Sequence, residues 1–113
     1  MVVMMAKIEE HLRENCEFWV KELEKMTEKD IDIGEWLNDN VLELRREQTL
    51  IKGEWKTISY ILVVTVGGPY VEINDDKVVG CWWSNKIEIR LTPKAKKGYE
   101  KVFEFLEEIW GSE

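Results

Sequence analysis

The groups best equipped for chemistry in this sequence are one histidine, two cysteines and three adjacent carboxylate pairs. His11 could serve as a general base or a ligand, but either role needs partners at a matching spacing. No nucleophile accompanies it at helical spacing, so it reads as a boundary residue beside an apolar helical stripe. Glu9/Glu10, Asp75/Asp76 and Glu107/Glu108 are neighbours in sequence. On a helix, adjacent side chains splay apart, and Asp75-Asp76 has the composition of a turn. None resembles a glycosidase pair. Gly67-Gly68-Pro69 is no phosphate loop, because neither a GK[ST] sequence nor a helix follows it. Cys16 and Cys81 stand far apart without a CxxC spacing, which gives neither a zinc site nor a disulfide framework. They read as small buried hydrophobes, with a disulfide between them open only because the cytosol of hyperthermophiles sometimes permits one. No catalytic residue, metal site or cofactor is expected.

Binding surfaces offer more. Six tryptophans occur in 113 residues, at 19, 36, 55, 82, 83 and 110. Trp19 and Trp110 fall on helical apolar stripes and belong to the core, while Trp36 could face either way. Trp82 and Trp83 are adjacent in an expected strand, so they should point to opposite faces. One then enters the core. The other joins some of Thr57, Ser59, Ile61, Val63 and Thr65, with an aromatic from Tyr70 or Trp55, on the far side. So large an apolar area calls for a cover, either a curling of the sheet around its own helices or, most simply, a second copy of the chain. The interface candidates are therefore Trp55, Tyr60, Tyr70, Trp82 and Trp83.

Charge supports two further readings. The chain carries a net charge of −7, with 13 acidic and 7 basic residues in positions 1–50. Such a balance argues against general nucleic-acid binding, because the phosphate backbone repels it. Residues 77–101 run the other way. There Lys86, Arg90, Lys94, Lys96 and Lys97, together with Trp82, Trp83 and Tyr99, could hold a single strand by charge and stacking. Against this, the final helix needs Tyr99 for its core. Alternatively, Glu10, Glu14, Glu17, Glu24 and Glu28 could mimic DNA and bind a basic protein, although Arg13, Lys21 and Lys25 interleave with them.

The elements that position these residues follow from periodicity. Met5, Ile8, Leu12, Cys16, Trp19, Leu23 and Met26 recur at spacings of three and four, giving one helix over residues 1–28. Asp32 and Glu35 form a capping-box pattern that opens a second helix running to about Gln48. Its short connection to the first predicts a helical hairpin. After Glu54 the period becomes two. Strands are expected over 55–66, 70–74, 77–83 and 86–91, with turns at Gly67-Gly68-Pro69, Asp75-Asp76 and Ser84-Asn85. Thr92 as N-cap and Pro93 at the first helical position open a final helix, which Gly111 ends. The expected fold is one α+β domain over residues 1–113. It is a four-stranded antiparallel meander with an N-terminal helical hairpin and a C-terminal helix, in the order ααββββα. One mismatch stands out: residues 55–60 of the long first strand have no partner, and an open apolar edge invites aggregation. A neighbouring strand, a helix or a second copy must cover it.

Eighteen Glu and twelve Lys against a single Gln give the composition of hyperthermophile proteins. No apolar run is long enough to span a membrane, and the apolar start meets Lys7, Glu9 and Glu10 at once, so a cytoplasmic setting is expected. The hairpin signature Gly67-Gly68-Pro69-Tyr70 followed by Gly80-Cys81-Trp82-Trp83 resembles small uncharacterised proteins of hyperthermophilic archaea and mobile elements. The resemblance covers under a third of the chain. It implies an α+β fold and carries no activity. The leading expectation is a non-enzymatic, self-associating interaction module, most simply a homodimer.

Overall fold

The computed structural model describes residues 2–28, 30–66 and 68–110, with the backbone alone for residues 2–5. The Met5 side chain, Lys29, Gly67 and Gly111, on which the sequence patterns draw, lie outside the described residues. Among the described residues, three helices lie on one face of a five-stranded antiparallel sheet.

Helix α1 (Val2–Lys25) buries Ile8, Leu12, Cys16, Trp19 and Leu23, with Met26 buried just past its end, the stripe that the three-and-four spacing predicts. Helix α2 (Ile33–Asn40) starts where the capping pattern places it, with the Glu35 N–H donating to Asp32 Oδ1 at 3.1 Å. It ends much earlier than its composition predicts. The Asn40 side chain donates to the Trp36 carbonyl at 2.9 Å, and Val41 turns to extended backbone at φ −99°. Residues 41–48 are therefore not helical. Instead β1 (Glu43–Ile51) pairs along its length with β2 (Glu54–Thr65). Lys52 and Gly53 join them with φ of 52° and 82°. Two consecutive left-handed residues suit a tight hairpin, because their twist matches that of the flanking strands. The local helix propensity of Glu-Leu-Arg-Arg-Glu-Gln yields to this long ladder. The fold is thus ααβββββα, with five strands where four were expected. The orphan stretch 55–60 has β1 as its neighbour.

The remaining strands follow as a meander in the order β1-β2-β3-β4-β5, with β3 at Tyr70–Ile73, β4 at Lys77–Trp82 and β5 at Asn85–Arg90. Asn74 closes the β3–β4 turn, its Oδ1 accepting the N–H groups of Asp76 and Lys77 at 2.9 Å each. Thr92 caps α3 (Pro93–Trp110) by accepting the Ala95 N–H at 3.1 Å, as its type and position predict. The core lies between the sheet and helices α1 and α3. Leu12, Leu23, Leu62, Val71, Ile73, Val78 and Val102 are among its most deeply buried aliphatics.

Candidate functional site

The strand register decides which candidate residues share a surface. On β4, Gly80 faces the helices so closely that a Cβ there would lie 2.6 Å from Cys16 Sγ and 2.8 Å from Leu12 Cδ1. Val78, Gly80 and Trp82 therefore form the inner row, and Lys77, Val79 and Cys81 the outer one. Trp82 is half-buried beside His11, Leu12, Asn15 and Pro69. Trp83 is not a strand residue. It stands in the two-residue turn with Ser84, at φ 54°, because Trp82 pairs directly with Asn85. The expectation that the two indoles face opposite sides fails for that reason. Their ring centroids lie 5.8 Å apart. Trp83 is 76% exposed at one end of the sheet, whereas Trp55 is 66% exposed at the other, near the tip of the β1–β2 hairpin.

Tyr60 is no surface residue. Its exposure is 0%, and its ring packs against Phe103 at 5.2 Å and Trp110 at 6.3 Å. Trp110 reverses the opposite expectation. It is exposed at the end of α3, where the apolar stripe overshoots the core, and Ile109 beside it is half-exposed. Tyr70 sits on the outer face and donates to Glu72 Oε2 at 3.3 Å.

The outer face is not the broad apolar area that the sequence pattern predicts. Val63 and Val79 are buried at its centre, yet their cross-strand neighbours are Glu43, Glu72 and Glu88. Around them Lys77 and Lys86 both reach Glu88, at 3.0 and 3.2 Å, and Arg45 pairs with Glu43 at 3.0 Å. Val63 and Val79 are thus buried within the single chain, among long side chains whose charged ends stay partly exposed. The sheet supplies its own cover.

Exposed apolar side chains gather instead beside β1. This strand ends the sheet, and among the described residues no strand pairs with its outer side. On the helix side of the hairpin, Leu42 is 63% exposed and Leu50 56%, and Leu50 lies directly opposite Trp55. Leu42 and Leu44 line an open groove of ≈ 470 Å³ whose other walls are Leu37, Val41, Phe105 and Trp110. Arg46 crosses between groove and hairpin tip and donates to the Trp110 carbonyl at 3.2 Å. Ile58 is the extra residue of a β2 bulge and is also exposed. Sequence reasoning names Trp55 but not its β1 neighbours, because the pattern of residues 41–48 reads as helix. The turn pair Lys52-Gly53 between two β-rich runs was the signal that could have found them.

The basic candidates divide between two elements. Lys86 and Arg90 project from β5 with Glu88 between them, whereas Lys94, Lys96 and Lys97 stand on the first turns of α3. Tyr99, the aromatic closest to those lysines in sequence, is buried. Among the described residues, no three of His, Cys, Asp and Glu gather as a metal ion would require. His11 is exposed on α1, near Lys7, Glu10 and Glu14. No described helix is long and apolar enough to cross a membrane.

The two cysteines are both thiols in different settings. Burial between α1 and β4 pushes the Cys16 thiol up to about 11, with the Cys81 thiol and Glu17 acting the same way and Arg13 opposing them. Cys81 is partly exposed on the outer face. One thiol per chain should therefore react promptly with a chromogenic disulfide at pH 8, the second only on unfolding. Two fast equivalents would contradict the placement of Cys16.

Compared with family models, curated proteins and solved structures, the chain matches none.

Proposed function

We propose that this chain is a non-enzymatic interaction module that associates with a second copy of itself through the outer edge of β1. One observation carries the reading. The β1 edge is nine residues long, and Leu42, Leu50, Ile51 and Trp55 beside it are exposed. A free edge of this length offers a row of unpaired N–H and C=O groups, and natural proteins rarely leave one open. Strand addition satisfies those groups, and the flanking apolar side chains supply the burial that backbone bonds alone lack. Of the five interface candidates, Trp55 belongs to this surface. The Glu- and Lys-rich surface supports the cytoplasm of a heat-adapted cell as the setting.

Light scattering at about 100 μM, within the range where modest dimers assemble, should give twice the chain mass. Leu50→Lys should give a single chain mass with an unchanged circular dichroism spectrum, since Leu50 lies outside the core. A wild-type chain that stays monomeric at that concentration would remove the reading. Retention of a single-stranded oligonucleotide at low salt, lost on replacing Lys94, Lys96 and Lys97 with alanine, would replace it with the nucleic-acid one.

A further inference from the structure

We infer that the two copies pair antiparallel about a twofold axis through Arg46, a register that rests on the self-association just proposed and makes it specific. A twofold axis normal to the sheet keeps inner and outer faces aligned across the joint, so each residue meets a partner of the same face. Side chains alternate strictly along β1, because the extra residue of the bulge belongs to β2. Same-face pairing then requires the axis to pass through a residue. That leaves few registers, and the side chains of β1 rank them.

An axis at Arg45 sets Glu43 against Glu47 of the other copy. At Glu47 the axis sets that carboxylate against itself. At Gln48 it sets Arg45 against Ile51 and Arg46 against Leu50, leaving the charges without counterparts. An axis at Leu44 sets Glu43 against Arg45 but pairs only residues 43–45 of β1, whereas the axis at Arg46 pairs residues 43–49. On the outer face Arg45 meets Glu47 twice, once on each side of the axis, and Glu43 meets Thr49. On the inner face Leu42 meets Leu50 twice, bringing together two side chains that are 63% and 56% exposed in the single chain. Directly opposed residues have Cβ atoms roughly 5 Å apart, within reach of both kinds of contact. The one like-charged pair is Arg46 with its own copy. Its guanidinium already turns along the inner face to the Trp110 carbonyl, 3.2 Å away, which draws the charge off the axis. The existing Arg45–Glu43 pair is half-exposed at both ends, so exchanging it for Glu47 of the second copy costs little. The product is a continuous ten-stranded sheet in which β1 is no longer an edge.

Charge exchange tests the register. Arg45→Glu alone and Glu47→Arg alone each set two like-charged pairs across the joint, and each should weaken the dimer by at least about tenfold. The double variant Arg45→Glu/Glu47→Arg restores opposite charges and should return the dissociation constant to within about threefold of wild type. Mixing the two single variants should give a heterodimer tighter than either homodimer, because each then offers the charge that the other lacks. Both sites are exposed, and circular dichroism checks each variant's fold. A wild-type dimer with no rescue in the double variant and no heterodimer on mixing would overturn the Arg46 register while leaving self-association standing. A monomeric wild type would remove both.

Discussion

Gly98→Ala should lower the stability of this chain by about 3 kcal/mol or more, although alanine is the better helix former by about 1 kcal/mol. Gly98 faces α1 from the second turn of α3. A Cβ there would lie 1.7 Å from the Leu23 carbonyl oxygen, 2.7 Å from its carbon and 3.3 Å from Met26 Cβ. The obstruction is backbone, so no rotamer change relieves it. The helices must part, and with them the layer of Leu23, Met26, Ala95 and Val102 between α1 and α3. The Leu23 carbonyl is also fixed, since it accepts the Met26 N–H at 3.0 Å in the final turn of α1. That turn is tied to α3 twice more, by Thr92 to Glu24 at 2.7 Å and by Lys101 to the Thr27 carbonyl at 3.2 Å. A change of about 3 kcal/mol is a large share of a small domain's stability and should lower the thermal midpoint by roughly 15 °C. Gly34→Ala is the control. Its Cβ would come tightly against the Phe105 ring alone, at 3.1 Å, which can yield by a small rotation, with Asp32 Oδ1 at an ordinary contact of 3.5 Å. Thermal unfolding followed by circular dichroism separates the cases. A Gly98→Ala midpoint within a few degrees of wild type would mean that the helices do not cross this closely.

The sequence makes the helix-facing half of the molecule legible because its signals there are local. A three-and-four stripe, an Asp32 cap and a Thr92-Pro93 start each specify a backbone conformation within a few residues, and all three stand in the structure. Where the outcome depends on a distant partner, local signals mislead. Residues 43–48 are good helix formers, yet they lie extended because residues 54–63 offer a ladder. The same argument covers the aromatics. Period-two alternation says that Tyr60 and Ile61 face opposite ways, but both faces of β2 carry apolar residues, so it cannot say which side is inner. Trp83 misleads for a different reason. Ser84-Asn85 has the better turn composition, and a tryptophan at φ 54° is an uncommon choice for a hairpin corner. The surface proposed for self-association thus became visible only with β1 in place. Three of its side chains, Leu42, Arg45 and Glu47, fall in the stretch whose local pattern extends the second helix to about Gln48, whereas the helix ends at Asn40.

Tyr99→Phe removes one oxygen and should cost about 3 kcal/mol, because that oxygen does the work of a missing strand. Pairing of β2 with β3 begins at Leu62, opposite Ile73, so Tyr60 has no strand neighbour on that side. The Tyr99 hydroxyl fills the place. It accepts the Tyr60 N–H at 3.0 Å, donates to the Tyr60 carbonyl at 2.8 Å, and lies 3.3 Å from Ser59 Oγ. Phenylalanine would keep the ring's packing and leave both backbone groups buried without partners, at roughly 1–3 kcal/mol each. Titration adds a second signature. Burial holds the Tyr99 pKa above its ordinary value, with Asp75 and Glu47 pushing the same way and the Ser59 and Tyr60 hydrogen bonds opposing. The folded chain therefore holds this proton more tightly than the unfolded one. The stabilisation is complete below the unfolded tyrosine pKa of about 10 and is lost as pH rises through the folded value. Cys16 opens the alkaline decline sooner, between about 9 and 11, by the same sign. In urea melts at pH 7 and pH 10.5, the gap between wild type and Tyr99→Phe should therefore narrow at the higher pH, while the decline due to Cys16 persists in both. An equal gap at both values would show that the lost stability owes nothing to the Tyr99 proton. A Tyr99→Phe chain as stable as wild type at pH 7 would show that Tyr60 finds its partners elsewhere.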